Sequence, residues 1–259
     1  MYRKQSVLNY LSKGFSLANH SLDIYLISVS LLLINSLSLH NLPSPFGIIL
    51  SILTTFILFF VYFGFNLSIP LFIQEKEKEK ALNYHKVYKT VIENTKRIIL
   101  PAILFLTLFF VAAVALLSTY YLIANSQGTS DKQISSSIVE QLIGLLIGWN
   151  PVAIAFSLVS SIIFSFLTFT SIFFSIEDKG IFRSIAQSVV LSSKHLHYIS
   201  IIILVNLITS LIFKLFPIEQ TWGRMLISAL SQYVNLIITA SSLLYYRAVE
   251  FTLHTPGVI

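Results

Sequence analysis

The chain has 259 residues, 55% of them hydrophobic and 11% charged, with a mean hydropathy of +0.81. Soluble domains carry about a quarter of their residues charged, so a soluble domain is excluded and the chain belongs in lipid. The absence of cysteine removes disulfides, thiolate metal sites and thiol nucleophiles, while the net charge of +6 matters through its placement more than its sum.

The first twenty residues carry Arg3, Lys4 and Lys13 and no long apolar run, so no cleavable signal peptide is expected and the first span serves as an uncleaved signal. A membrane crossing needs about 20 predominantly apolar residues. Six stretches qualify, at 22–40, 46–73, 98–124, 151–176, 198–216 and 225–247. Asp23 and His40 stand at the two ends of the first, within reach of water. The second is long enough to tilt, and Pro70 marks its exit. Glu75 to Lys80 then alternate in sign and read as a solvated run.

Ahead of the third span, Tyr84, Val87, Tyr88, Val91 and Ile92 recur at helical spacing, with Lys86, Lys89, Glu93 and Lys96 on the other side. This is the pattern of an amphipathic helix in the membrane interface. Between the third and fourth spans, Ile134, Ile138, Leu142, Leu145, Leu146 and Trp149 form another apolar face, and Gly144 and Gly148 give a GxxxG spacing. Before the fifth span the amphipathic pattern returns 98 residues later, as Phe182, Ile185, Ala186, Val189 and Val190, with Lys194 at the Lys96 position. Leu8, Leu11, Ser12, Phe15 and Ser16 form a third copy, 76 residues before the first set, with two polar face positions.

Three amphipathic-helix and hairpin units, 1–75, 76–178 and 179–259, are therefore expected within one integral membrane domain. The fold class is all-α, a polytopic bundle of six transmembrane helices with cytoplasmic interfacial helices. Fourteen of the 17 Lys and Arg residues fall on one side of these spans; Lys132, Lys214 and Arg224 are the others. Basic loops resist translocation, so both termini are expected in the cytoplasm of a multi-pass plasma membrane protein, with short loops of prokaryotic character.

The segment Ile176, Glu177, Asp178, Lys179 and Gly180, then Ile185, Ala186, Gln187 and Ser188, and on to Leu191, Lys194 and His195, resembles a recurrent segment of one family. It is similar to the multi-pass membrane domain found on some glycerophosphoryl diester phosphodiesterases and in related prokaryotic membrane proteins. The resemblance implies a six-span layout. It carries no hydrolytic activity to any position here, because the soluble catalytic domain and its metal-binding residues have no counterpart in the chain.

No metal-ligand set, phosphate loop, serine elbow or acid pair is present in the sequence, so no catalytic residue, metal or cofactor is expected and the chain reads as a non-enzyme. His195 and His197, two apart, are expected on different faces of a helix and at head-group level. Ionisable residues inside the spans are scarce, and the polar content that enters the bilayer is uncharged. It concentrates in the last span, where Ser228, Gln232, Asn235 and Thr239 share a face that Asn206, Thr209 and Asn66 could meet. Such a face serves interhelical hydrogen bonding or lines a polar cavity. Lys86, Lys89, Lys96, Arg97, Arg183 and Lys194 are candidate contacts for anionic lipids or for a membrane or cytoplasmic protein partner; nucleic acid is not expected. The clustered basic charge favours a non-enzymatic membrane scaffold or accessory subunit, with a transporter or permease-like component handling a lipid or small molecule as the alternative.

Overall fold

The computed structural model describes residues 6–37, 45–79, 82–101, 103, 104, 107, 151–214 and 221–254, and every element among them is an α-helix. In chain order these are α1 (Val7–His20), α2 (Leu22–Leu37), α3 (Pro45–Glu79), α4 (84–101), α5 (Pro151–Phe166), α6 (Thr170–Ser175), α7 (Ile181–Lys194), α8 (Leu196–Lys214) and α9 (Thr221–His254). The third span beyond residue 107, the apolar face between 125 and 150 and the Gly144–Gly148 pair lie outside the described residues.

Three helical stretches are long and apolar enough to cross a membrane: Thr54–Glu79, Ser157–Ser175 and Met225–Glu250. The number rises to five when α1 with α2, bent by 74°, and α7 with α8, bent by 107°, are each taken as one span. The chain is thus a helical membrane protein by length and composition, and its outer surface agrees. Large apolar side chains such as Ile57, Phe164, Leu204 and Leu226 face outward, where hydrocarbon would cover them.

The two bent pairs are built alike. Helices α7 and α8 begin 174 residues after α1 and α2, at 181 against 7 and at 196 against 22. The N-cap residues Ser6 and Gly180 share an extended backbone (φ −64°, ψ 149° and φ −63°, ψ 151°). At the breaks, Ser21 N–H bonds to the Ala18 carbonyl and His195 N–H to the Ser192 carbonyl, and Ile24 and Tyr198 bond back to Ser21 and His195 in the same way. Helix α4 runs unbroken from 84 through 101.

Each amphipathic helix meets a span through small or polar residues. Gly14 of α1 lies directly on Ser241 of α9, and Gly64 of α3 lies on Thr95 of α4. Ser68 Oγ accepts from Asn94 Nδ2 at 2.7 Å beside the second contact. On α7 the buried row is Ser184, Ser188 and Ser192, not the apolar face. That face, Phe182, Val189 and Val190, is exposed, as an interfacial helix requires. The corresponding face of α4 is divided: Tyr84 and Tyr88 are exposed while Val87 and Val91 enter the core.

One sequence expectation is corrected, and two spans show detail that hydropathy does not carry. Helix α3 continues past Pro70 to Glu79; proline removes a single backbone donor, and the buried side chains of Ile69, Phe72 and Ile73 hold the helix together around it. The candidate span Ser157–Ser175 contains a turn at 167–169 between α5 and α6. The break leaves the Phe166 carbonyl and the Phe169 N–H without helical partners. Serines of α7 supply them: Ser188 Oγ donates to Phe166 O at 2.8 Å and accepts from Phe169 N at 3.1 Å, and Ser192 Oγ donates to the same carbonyl at 3.0 Å.

The correction concerns the run from Glu75 to Lys80. Instead of being a solvated stretch, it ties helices together: Lys76 pairs with Asp23 of α2, Glu75 with Lys86 of α4 at 2.7 Å, and Glu77 with Arg247 of α9 at 2.7 Å. Because α3 extends past the apolar span, its charged end projects among the ends of three other helices.

Candidate functional site

The polar residues of the last span do not all serve one purpose. Gln232 Oε1 accepts from Ser28 Oγ of α2 at 3.1 Å, and Asn235 Nδ2 donates to Asn66 Oδ1 of α3 at 3.5 Å. Gln232, Asn235 and Thr239 line a cavity of about 550 Å³, a size typical of small-molecule sites. Asn206 lines it too, but bonds to Ser165 of α5 at 3.0 Å and not to the last span. Ser228 is not among the lining residues; Ser231, one turn along, is.

The cavity lies between the three long spans. Helix α3 contributes Asn66, α5 contributes Ser157 and Ser161, and α9 contributes Gln232 and Asn235, while Asn206 and Thr209 of α8 close one side. Thr170 and Ser171 of α6, with Ile181 and Ile185 of α7, form the end nearest the amphipathic helix. The serines of α5 and Ser171 were not singled out in the sequence. Their only signal is the spacing Ser157, Ser161, Ser165, a four-residue recurrence that places three hydroxyls in one row.

The hydroxyls of that row are held in place by their own helices. Ser161 Oγ donates to Ser157 O at 2.7 Å, Ser165 Oγ to Ser161 O at 2.6 Å and Thr209 Oγ1 to Val205 O at 2.7 Å. Back-bonding of this kind satisfies a hydroxyl donor inside an apolar medium. Thr170 is different: it is 7% exposed, and its Oγ1 has no hydrogen-bond partner.

The histidine pair overturns its expected placement. The helix stops at Lys194, and the turn at His195 (φ −120°, ψ 45°) brings both imidazoles to one point. His195 Nδ1 lies 2.9 Å and His197 Nε2 3.2 Å from the Tyr245 hydroxyl. The Tyr245 ring stacks on Tyr198 at 4.2 Å between centroids, with Tyr10 edge-on at 5.2 Å. Helices α1, α7, α8 and α9 thus converge on this cluster.

Burial, followed by the charges of His197 and Lys194, lowers the His195 pKa below its ordinary value of 6.5. The folded chain therefore takes up fewer protons than the unfolded one near and below that value. Stability is full above pH 6.5 and falls as the pH drops through it. Thermal unfolding in detergent is expected to show this decline, and His195→Gln to flatten it; an unchanged slope would remove His195 as its cause.

The turn at 176–180 is a joint. Arg97 of α4 pairs with Asp178 at 2.8 Å, donates to Lys179 O at 2.9 Å and to Asn94 Oδ1 at 3.2 Å, and sits 4.3 Å over the Phe174 ring. Asp178 takes a left-handed backbone (φ 54°), which short polar residues tolerate. Glu177 pairs with Lys179 and accepts from Tyr246 of α9.

Of the other basic candidates, Lys86 is paired to Glu75, whose hydrogen bond and charge raise its pKa. Lys89, Lys96, Arg183 and Lys194 are exposed and make no ion pair among the described residues. No group of three or more His, Asp or Glu side chains able to hold a metal occurs among the described residues. No protein-family model matches the chain, and comparisons with curated proteins and with solved structures give no significant match.

Proposed function

We propose that this chain is a transporter or permease-like component that admits a small polar molecule or a lipid head group to the cavity between its long spans. The supporting observation is the cavity itself: about 550 Å³, lined by hydroxyl and amide side chains from helices α3, α5, α8 and α9 together with apolar ones such as Phe63, Phe164, Ile185 and Ile238. Uncharged polar side chains in lipid commonly bond helices to one another, and here several of them also face a volume large enough for a small molecule.

The architecture proposed with it is three units, 1–75, 76–178 and 179–259, of two spans each. In this reading each amphipathic helix seats on the second span of the preceding unit. Thr95 meets Gly64, Ser188 meets the backbone of Phe166 and Gly14 meets Ser241. The last contact joins the first unit to the third. The cavity then lies where the three second spans face one another, and the basic ends of the units share one side, taken as the cytoplasmic side of a plasma membrane.

Single cysteines at Gln232 and Asn235 test the function directly, because the chain has none of its own. Both are expected to react with a membrane-impermeant thiol reagent from at least one side, with Leu226→Cys as the lipid-facing control that does not. Positions unreactive from both sides would end the transport reading.

A scaffold or accessory-subunit role is the second reading, favoured by the exposed Lys89, Lys96, Arg183 and Lys194, which make no ion pair among the described residues. On that reading, K89E with R183E is expected to strip bound anionic lipid or a stoichiometric protein partner in native mass spectrometry. An unchanged set of bound species would leave the cavity as the only functional feature.

A further inference from the structure

Contacts already made within the chain narrow the basic surface. Lys86 is paired with Glu75, and Arg97 is engaged by Asp178, the Lys179 carbonyl and Asn94. Lys89 and Lys96 share the exposed part of α4 with Glu93, and that helix turns Val87 and Val91 into the core. Helix α7 differs on both counts. It has no acidic residue between Ile181 and Lys194, and its two cations, Arg183 and Lys194, are exposed and make no ion pair among the described residues. The acids just before it, Glu177 and Asp178, are held by Lys179 and Arg97.

Resting on the second reading's basic surface, we propose that the outward face of α7 is a seat for anionic phospholipid, with Arg183 and Lys194 each meeting a head-group phosphate. Arg183, Val190 and Lys194 recur at seven and four residues and so share one stripe of the helix. Beside that stripe Phe182 and Val189 are exposed, as is Leu196 just past the bend. On the opposite side Ser184, Ser188 and Ser192 are buried, and Ser188 and Ser192 are bonded to the backbone of the α5–α6 turn. Contacts inside the protein thus fix which way the apolar face points.

An apolar face edged by cations is complementary to the acyl and phosphate layers of a leaflet. A zwitterionic head group brings its own ammonium beside the phosphate, so cations without acidic neighbours favour lipids of net negative charge. A guanidinium can also take two phosphate oxygens at once. At 1.5 Å of rise per residue the two cations stand about 16 Å apart along the helix, so each meets a different lipid.

The test counts lipids bound to the full chain by native mass spectrometry during titration with phosphatidylglycerol or phosphatidylcholine. Two retained phosphatidylglycerol molecules are expected at concentrations where phosphatidylcholine is not retained. Arg183→Gln with Lys194→Gln is expected to weaken phosphatidylglycerol binding by roughly twenty-fold, about five-fold for each basic residue near an anionic surface, in a chain whose thermal unfolding is unchanged. Lys89→Gln with Lys96→Gln removes the same charge from α4 and is expected to change binding little.

Equal retention of the two lipids by the unaltered chain overturns the anionic class. Equal losses in the two double variants overturn α7 as the seat, since net charge then sets the binding. Both variants are also extracted from their own membrane. If the α7 variant releases a protein partner while binding phosphatidylglycerol normally, the lipid proposal falls and the scaffold reading stands. A folded α7 variant that loses neither lipid nor partner overturns both.

Discussion

Gly14→Ala is expected to unfold the chain at markedly lower temperature in detergent, with a cost of about 3 kcal/mol, at the upper end of overpacking effects. A Cβ on Gly14 would stand 1.9 Å from Ser241 Oγ, 2.8 Å from Ser241 N and 2.9 Å from Ser241 Cα. A hydroxyl can rotate away, but the backbone of α9 cannot, so α1 must lift from α9. That movement also disturbs the Tyr10 contact with Tyr245. Gly64→Ala is the matched comparison: its Cβ would meet Thr95 Oγ1 at 2.4 Å and backbone no nearer than 3.2 Å. A side-chain rotation and a shift of a few tenths of an ångström relieve it, and about 1 kcal/mol is expected. Equal effects at the two glycines would show that backbone approach does not set the cost.

Arg97→Met is expected to cost about 2 kcal/mol and to loosen the joint between α4 and the 176–180 turn. The guanidinium holds Asp178, the Lys179 carbonyl, Asn94 and the face of Phe174 together. Most of the loss comes from the hydrogen bonds to Lys179 O and Asn94 Oδ1 and from the cation–π contact, worth about 0.5–1 kcal/mol at an exposed site. The Asp178 pair adds little, since that carboxylate is 87% exposed and solvent screens it. Arg97→Lys is expected to recover less than half of the stability, because an ammonium cannot span the same fork of acceptors. Urea or thermal denaturation of both variants measures this; a lysine that restores full stability would mean that charge alone matters at this position.

Membrane character, helical class and the three long apolar helices near 46–73, 151–176 and 225–247 are legible from the sequence, because hydropathy is a local property summed over about 20 residues. So is the presence of amphipathic helices near 7–20, 84–96 and 181–194, because periodicity is local too. Gln232, Asn235, Thr239 and Asn206 are legible as a polar set for the same reason. Which side of each amphipathic helix meets protein is not. A serine row such as Ser184, Ser188 and Ser192 gives no hydropathic signal, yet small residues are what permit close helix contact. Only the packing of α7 against the 167–169 turn assigns them their partners.

The remaining differences have one cause. Charged and polar side chains are chosen by neighbours distant in sequence, so the roles of Glu75, Lys76 and Glu77 depend on where α2, α4 and α9 end. The two histidines meet at Tyr245 only because α7 breaks at His195, a geometry that spacing by itself contradicts. The cavity, likewise, is a space between helices and belongs to no single one. Local physics thus determined what each segment is, an apolar span or an amphipathic helix. Tertiary structure decided which faces touch and which polar groups pair, because these depend on contacts between residues far apart in the chain, such as Ser28 and Gln232, 204 positions apart.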